Sequence, residues 1–274
     1  MLKFIPLYLL LLFSYNYIYA SSISLHNAPL WITSSDEEQS CAIGIGSRKS
    51  VNAHAQAMLL ATLEYTMTTN TKVSSLMKLH KEAEKENFTS TSKFSGFAQS
   101  VRLKEKTSWK NKQGDYFVLA CKDNSASPIS FPFVVKYYQE QTTVNKKTNY
   151  DNFFQLKIAD KILIEEKGVL PKKITHIFNK NRPKWVDINI NKEGVTLAQA
   201  DVIDNDIQTA YLKAMLNARK IFAEDIYVQL FHITKSANQD ENKEVISQNV
   251  KGSFLKALWL DDINKKLYVL LQLK

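Results

Sequence analysis

The chain has 274 residues, with 36 lysines and arginines against 27 aspartates and glutamates and a formal net charge of +9. Hydrophobic residues make up 45% of the sequence and aromatic residues 11%, so the chain can bury a sizeable core and is not intrinsically disordered. The basic balance points to anionic partners or to a solvated basic surface, and net charge alone does not decide between them.

Residues 1–20 have the layout of a secretory signal peptide. Lys3 supplies a basic start, an apolar run follows over residues 4–13, and a polar, aromatic stretch ends at Ala20. The apolar run is too short to span a bilayer comfortably, so we expect cleavage after Ala20, with an uncleaved anchor as the alternative. Lipidation would require a cysteine directly after that site, and the first cysteine is Cys41. We therefore predict a protein of the periplasm, or of the periplasmic face of the outer membrane, that is not lipidated.

Residues 21–123 predict a first α+β unit, which is entered through Pro29 and Trp31. Trp109 stands near its end, ahead of a turn at 111–114. Strand-like and helix-like patterns follow one another between these points. The predicted elements are a strand at 40–46, a helix from residue 50 or 52 to 66, a strand at 67–75, a short charged helix at 79–86, an extended run at 88–103 and a strand at 116–121.

The helix of this unit carries a stripe of small side chains. Ala53, Ala57 and Ala61 stand four residues apart and therefore share one helix face. Such a stripe lets the helix approach a sheet closely, which makes core packing its favoured role. Gly44 and Gly46 of the preceding strand favour the same close approach. They do not form a dinucleotide-binding fingerprint, because the third glycine position holds a lysine.

Residues 124–182 form a connecting segment whose structure the sequence leaves open. Residues 134–144 alternate as a strand would. Residues 152–166 fit either a helix or a hairpin that turns at residues 159–161, and their periodicity does not decide between the two.

Residues 183–274 repeat the order of the first unit. They are entered through Pro183 and Trp185, and Trp259 stands where Trp109 stands in the first unit. The helix again carries a small-residue stripe, formed by Ala210, Ala214 and Ala218. The predicted elements are a strand at 195–202, a helix at 206–224, a strand at 226–235, a charged break at 238–244, an extended run at 245–260, a turn at 261–265 and a strand at 267–273.

This self-similarity predicts a duplicated α+β unit. Strands that follow one another through hairpin-like turns form mostly antiparallel sheets, and one amphipathic helix can cover one face of such a sheet. We therefore expect two repeated units, each a mostly antiparallel sheet of three to four strands covered by one alanine-striped helix.

The chain contains two cysteines, Cys41 and Cys121, both in apolar and strand-like surroundings. An exported compartment permits a disulfide, and the bond forms if the two strands are neighbours. Two buried free thiols are the alternative, because spacing alone does not establish geometry. We expect the disulfide.

Residues that could carry chemistry do not form a recognisable constellation. The five histidines are scattered, with no metal-ligand spacing to one another or to a cysteine. Asp201, Asp204 and Asp206 precede the second helix, where helix capping explains them better than a calcium loop that lacks its glycine and distal glutamate. The sequence shows no serine-nucleophile motif and suggests no Cys–His pair. We predict no catalytic, cofactor-binding or metal-binding residue, and hence a protein that is not an enzyme.

The motifs of both units resemble the Lpp-twenty-like family of outer-membrane lipoproteins and the related amino-terminal domain of the flagellar assembly protein T group. Three features depart from the family: the lipidation cysteine is absent, the Ala218-Arg219 pair of the second helix has no counterpart in the first, where Ala61-Thr62 stands, and the second unit lacks the Gly-x-Gly strand. The resemblance implies a non-enzymatic envelope component, which in several members belongs to disk-like or ring-like structures around the flagellar motor. The matching residues are Pro29, Trp31, Gly44, Gly46, Ala53, Ala57, Ala61, Pro183, Trp185, Ala210, Ala214, Ala218, Arg219 and Ala223.

Two functions follow as expectations. The first is a structural or scaffold protein of the envelope, which contacts other envelope proteins, forms a homo-oligomer or ring, and touches anionic lipid or cell-wall polymer but no nucleic acid. The second is a periplasmic ligand-binding module that uses the groove between the two units. Neither requires a cofactor.

Overall fold

The computed structural model describes residues 25, 27–33, 40–69, 71–82, 85–144, 147–169, 179–187, 194–230 and 241–273. The predicted signal peptide lies outside these residues. Strands predominate within them, all of the strand pairs are antiparallel, and the fold is α+β, as predicted. The α-helices in this part of the chain are α1 (Leu30–Thr33), α2 (Ala53–Thr69), α3 (Lys184–Asp187) and α4 (Ile207–Leu230), and a 3-10 helix spans Ile203–Asn205.

A first small sheet has the strand order β1-β5-β4 and carries α2 on one face. The alanine stripe lies at this contact, where Ala57 and Ala61 are fully buried. A Cβ atom added at Gly44 would overlap the backbone of both residues, so this glycine is required by the close approach of the helix. The strands are β1 (Cys41–Gly46), β4 (Leu103–Lys110) and β5 (Tyr116–Lys122).

A second small sheet has the strand order β9-β12-β11 and packs against α4. Its helix seats Ala210, Ala214 and Ala218 in the core, each at most 1% exposed. The helix start is capped by Asp206, whose carboxylate accepts the Thr209 amide at 3.0 Å. The strands are β9 (Val195–Asp201), β11 (Phe254–Asp261) and β12 (Lys266–Gln272).

A six-stranded sheet joins the two halves of the chain. Its strand order is β10-β2-β3-β6-β7-β8, so a strand from the second half pairs with a strand from the first, with Val250 opposite Thr71. The connecting segment, whose structure the sequence leaves open, supplies three of the six strands. The strands are β2 (Thr71–Glu82), β3 (Lys85–Val101), β6 (Ile129–Val144), β7 (Lys147–Ile158), β8 (Lys161–Val169) and β10 (Glu241–Val250).

The large sheet buries one face and exposes the other. On the inner face Phe94, Phe133 and Phe154 are at most 2% exposed, and they share one apolar cluster with residues of α2 and α4. Side chains on the alternate positions, such as Lys93 and Lys136, are exposed. The outer face of the large sheet is therefore open to solvent.

Three predicted elements are wrong or shifted. Helix α2 continues to Thr69, so the strand predicted at 67–75 begins only at Thr71. The threonines at its end fit into the helix with their hydroxyls donating to carbonyl oxygens of the preceding turn, as Thr66 does to Thr62 at 2.8 Å. The charged helix predicted at 79–86 is wrong, because residues 79–82 belong to β2 and residues 85–86 belong to β3. Strand β10 pairs with β2 in this region.

The strand predicted at 226–235 is also wrong as far as residue 230, because α4 extends to that point. Residues 231–235 lie outside the described part of the chain. Residues 152–166 form the hairpin alternative, in which β7 and β8 turn at Ala159.

Candidate functional site

The predicted disulfide is confirmed. Cys41 and Cys121 lie directly opposite one another in the β1–β5 pair, and they form the bond with their Cα atoms 3.9 Å apart. The bond links residues 80 positions apart in the chain. It fastens the edge strand β1 to the centre of the first small sheet.

The aromatic and proline residues of the motifs serve packing. Trp109 stacks against Phe117 and Trp259 against Tyr268, each at 5.3 Å between ring centroids. Trp31 packs at the edge of the main core on α1, which lies against β11. Pro183 and Trp185 are half-buried. Pro183 directly precedes α3, Trp185 lies in the first turn of α3, and Pro29 directly precedes α1. These residues are spread over the ends of the two small sheets.

A buried ion pair joins the two alanine-striped helices. Arg219 of α4 is 0% exposed, and its Nη2 and Nη1 atoms donate to the two carboxylate oxygens of Glu64 of α2 at 2.5 and 3.2 Å. The Nε atom of Arg219 donates to the Ser253 hydroxyl at 3.1 Å. Burial removes both charged groups from water, which costs free energy. The bidentate hydrogen bonding between Arg219 and Glu64 offsets this desolvation penalty.

Sequence reasoning noted Arg219 as a motif residue but missed Glu64. The available signal is Glu64, the only acidic residue in the sequence of α2, whereas Arg219 is one of several charged residues of α4 and is followed by Lys220. Neither position identifies its partner, because the two are 155 residues apart.

Helix α4 also covers the open edge of β1. Gln208 donates its side-chain amide to the carbonyl oxygen of Ile45 at 2.7 Å, and the Tyr211 hydroxyl donates to that of Ile43 at 3.4 Å. These side chains take the place of a neighbouring strand along that edge. Burial raises the pKa of the Tyr211 phenol well above its ordinary value.

A second buried cation, Lys213, precedes Arg219 by nearly two turns on the same helix. Lys213 is 2% exposed; its ammonium group forms an ion pair with Glu166 of β8 and lies 5.6 Å from the ring centroid of Phe154. Burial lowers the pKa of Lys213, and the charge of Glu166 opposes that shift. Asn152 of β7 donates to the same Glu166 carboxylate at 2.8 Å.

A polar cavity of about 170 Å³ lies beside Lys213, between α4, the large sheet and the second small sheet. An ion pair at its wall joins Asp201 of β9 to Lys266 of β12 at 3.7 Å. The cavity is large enough for a small polar molecule. Its lining residues are Tyr137, Gln139, Gln199, Ala200, Asp201, Lys213, Asn217 and Lys266.

The outer face of the large sheet carries four lysines on four adjacent strands, which we call the lysine face: Lys72, Lys93, Lys136 and Lys157. Lys93 of β3 lies directly opposite Lys136 of β6. Lys72 of β2 and Lys157 of β7 stand at the two ends of the next row of side chains. No carboxylate of the described residues forms an ion pair with Lys72, Lys93 or Lys136.

Exposed apolar side chains border the lysine face. Phe97 of β3 is 57% exposed and lies opposite Pro132 of β6, in the row beyond Lys72 and Lys157. Ile162 of β8 is 52% exposed and lies opposite Lys157. This end of the outer face is therefore both basic and apolar.

Acidic groups of the outer face lie in the row of Lys93 and Lys136 and beyond it. Glu165 of β8 stands in that row, and Glu140 of β6 and Asp151 of β7 lie opposite one another two rows further from Phe97. Glu165 of β8 forms an ion pair with Lys167 at 2.8 Å, and the hydrogen bond from Lys167 lowers the pKa of that carboxyl group. Glu140 of β6 accepts the hydroxyl of Tyr138. The row of paired residues that holds Lys72 and Lys157, next to Phe97, contains no acidic residue, so the charge of that row is positive.

Comparison with known proteins finds no family model, no curated protein and no solved structure that matches the chain. Within the described ranges, no group of three histidine, cysteine, aspartate or glutamate side chains is arranged to hold a metal ion. Of the helices described, none combines the length and the apolar composition needed to cross a bilayer.

Proposed function

We propose that the protein is a non-enzymatic structural component of the cell envelope, exported to the periplasm or to the periplasmic face of the outer membrane. Its contact surface is the open outer face of the six-stranded sheet. The observation that carries this proposal is the cross-strand pair of Lys93 and Lys136. Like charges directly opposite one another destabilise a sheet, so this arrangement favours an anionic surface as its counterpart.

Contact through the face is favoured over the addition of a strand at a sheet edge. The edge strand β8 carries Lys161 and Lys167, and the edge strand β4 carries Lys104, Lys106 and Lys110. Lysines on an edge oppose pairing with a further strand. The edge of β1 is covered by α4. The sheet face therefore offers the larger free surface.

The duplication forms part of this proposal. Each half runs strand, alanine-striped helix, long strand and terminal hairpin, and each small sheet pairs its first strand with its last. Trp109 opposes Phe117 in one terminal hairpin, and Trp259 opposes Tyr268 in the other. These equivalences support two divergent copies of one unit. Two such copies are what the resemblance to the Lpp-twenty-like and flagellar assembly protein T families implies, and with it a homo-oligomer or ring near a flagellar motor.

The test combines localisation with cross-linking in the cell. A tagged chain is followed by fractionation, and a photo-crosslinking amino acid is placed at Thr91 on the outer face or, as a control, at the exposed Lys112 between β4 and β5. We expect a processed protein in the envelope fraction and cross-links from position 91 that position 112 does not give. An unprocessed cytoplasmic protein, or equal cross-linking from both positions, contradicts the proposal.

A periplasmic ligand-binding module is the second candidate, and the cavity beside Lys213 favours it. It lies between the large sheet and the second unit rather than in a groove between the two units. Native mass spectrometry of protein purified from its own compartment tests this function. A small molecule that is retained by the wild type and lost in Asn217→Leu would favour the second candidate over the first, and an empty cavity in both would count against it.

A further inference from the structure

We infer that the lysine face, together with Phe97 and Ile162, docks on the surface of an anionic lipid bilayer. The inference rests on the proposed function and names the partner of its contact surface. The bilayer, rather than a protein or a polymer, is the occupant that the chemistry of this face fits best.

The four lysines of the lysine face lie close enough together to meet one anionic surface. Neighbouring strands stand about 4.8 Å apart, so Lys93 and Lys136 are direct neighbours, and Lys72 and Lys157 follow within one more row. Four ammonium groups thus project from one side of a sheet, on flexible stems that reach a plane together. A layer of anionic headgroups offers a counter-charge to each of them at once.

The apolar side chains decide between lipid and polymer. Phe97 and Ile162 are 57% and 52% exposed, and they lie in or next to the row that holds Lys72 and Lys157. A hydrated anionic polymer offers no apolar medium for these two side chains. The boundary between headgroups and acyl chains does, and lysines around apolar residues are the usual composition of an interfacial surface.

The direction of approach follows from the acids. Glu140 of β6 and Asp151 of β7 lie opposite one another two rows beyond Lys93 and Lys136, at the end of the outer face away from Phe97. The end that bears Phe97 and Ile162 therefore faces the membrane, and the acidic end is tilted away from it, where it avoids repulsion from the headgroups.

The experiment measures co-sedimentation of the processed full chain with vesicles. Phosphatidylcholine vesicles are compared with vesicles that also contain phosphatidylglycerol. We expect binding only to the anionic vesicles, with a bound fraction that falls as sodium chloride is added. The double variant Lys93→Gln/Lys136→Gln should lower the partition coefficient about thirtyfold, since each lysine near an anionic surface contributes separately. Phe97→Ser should lower binding at high salt more than at low salt.

The matched control is Lys104→Gln/Lys110→Gln, which removes the same charge from two exposed positions on the edge strand β4. It should bind nearly as the wild type does. Equal losses in the two double variants would mean that net charge alone drives binding, and wild-type binding by the Lys93/Lys136 variant would mean that the face is not used. Either result overturns the inference.

The two proposals fail separately. Absence of vesicle binding, together with capture of an envelope protein from position 91, overturns the lipid inference and leaves the envelope function in place. Vesicle binding by a protein that fractionates with the cytoplasm overturns the envelope function alone.

Discussion

Glu64 and Arg219 meet between α2 and α4 as a bidentate ion pair, with side chains that are 4% and 0% exposed. Removal of one partner leaves an uncompensated charge in the core. We expect Glu64→Leu or Arg219→Met alone to lower the free energy of unfolding by about 3–5 kcal/mol. Glu64→Leu combined with Arg219→Met should recover most of that loss, because an apolar pair of similar volume avoids desolvation. Urea denaturation of the three variants measures this, and a double variant as unstable as the sum of the singles would contradict it.

The Cys41–Cys121 disulfide constrains the unfolded chain over 80 positions. Its replacement by Cys41→Ala/Cys121→Ala should lower the free energy of unfolding by about 2–5 kcal/mol. Denaturation of the wild type with and without reductant provides the comparison. The reductant should leave the double variant unchanged, and stability equal to that of the oxidised wild type would contradict the prediction.

The close packing of α2 on the first small sheet requires a glycine at position 44. We expect Gly44→Ala to destabilise the protein by about 1–3 kcal/mol, because the added methyl group overlaps the backbone at Ala57 and Ala61. Gly168→Ala is the matched control, since nothing lies within 4 Å of a Cβ atom at that position. Thermal denaturation should separate the two variants clearly, and similar midpoints would show that the helix does not sit as described.

Tyr211 should make stability depend on alkaline pH. Burial raises its folded-state pKa, so the folded protein holds the phenolic proton more tightly than the unfolded chain does. The resulting stability is complete below the ordinary pKa of about 10 and is lost as pH rises toward the folded-state value. Tyr211→Phe should cost about 1 kcal/mol at neutral pH through the lost hydrogen bond. Above pH 10, the free energy of unfolding of this variant should fall less steeply than that of the wild type. Urea titrations at several pH values would measure the difference.

Lys136 should carry a stability cost when no lipid is present. We expect Lys136→Gln to raise the free energy of unfolding by about 0.5 kcal/mol, because it removes the repulsion from Lys93 across the strands. Lys104 of β4 lies opposite Cys121 of β5 and has no lysine across the strands. Its ion pair with Asp123 is long, at 4.0 Å, and exposed, so Lys104→Gln should change stability little. Denaturation in low salt is the sensitive condition. A loss of stability in Lys136→Gln would show that this lysine supports the fold.

Sequence periodicity predicted the local elements and the seats of the alanine-striped helices, since spacing along a helix or strand determines which side chains share a face. It also placed the cysteines on strands that prove to be neighbours. It did not predict the six-stranded sheet. The pairing of β10 with β2 is a long-range contact, and neither strand specifies its partner through its own pattern.

The sequence did not reveal the polar contacts of the candidate site, because these also join residues that are far apart in the chain. Lys213 lies on the buried face of α4 but meets its counter-ion, Glu166, only when β8 has joined the large sheet. The lysine face appears only when four strands lie side by side, because Lys72 and Lys157 are far apart in the sequence. Residue types alone therefore show the basic charge and lead to the prediction of export, whereas the lysine face depends on the topology of the sheet.

The pairing of β10 with β2 also has a consequence for the order of events in the cell. Strand β10, which pairs with β2, is synthesised almost at the end of the chain. Arg219, the counter-ion of Glu64, is also synthesised long after Glu64. Until then the first half has an open sheet edge and a carboxylate without its counter-ion, so it cannot settle early into a closed domain. For the export that we propose, such a delay is useful, because an exported chain crosses the membrane in extended form. The last hundred residues then close the sheet and complete the core in one step.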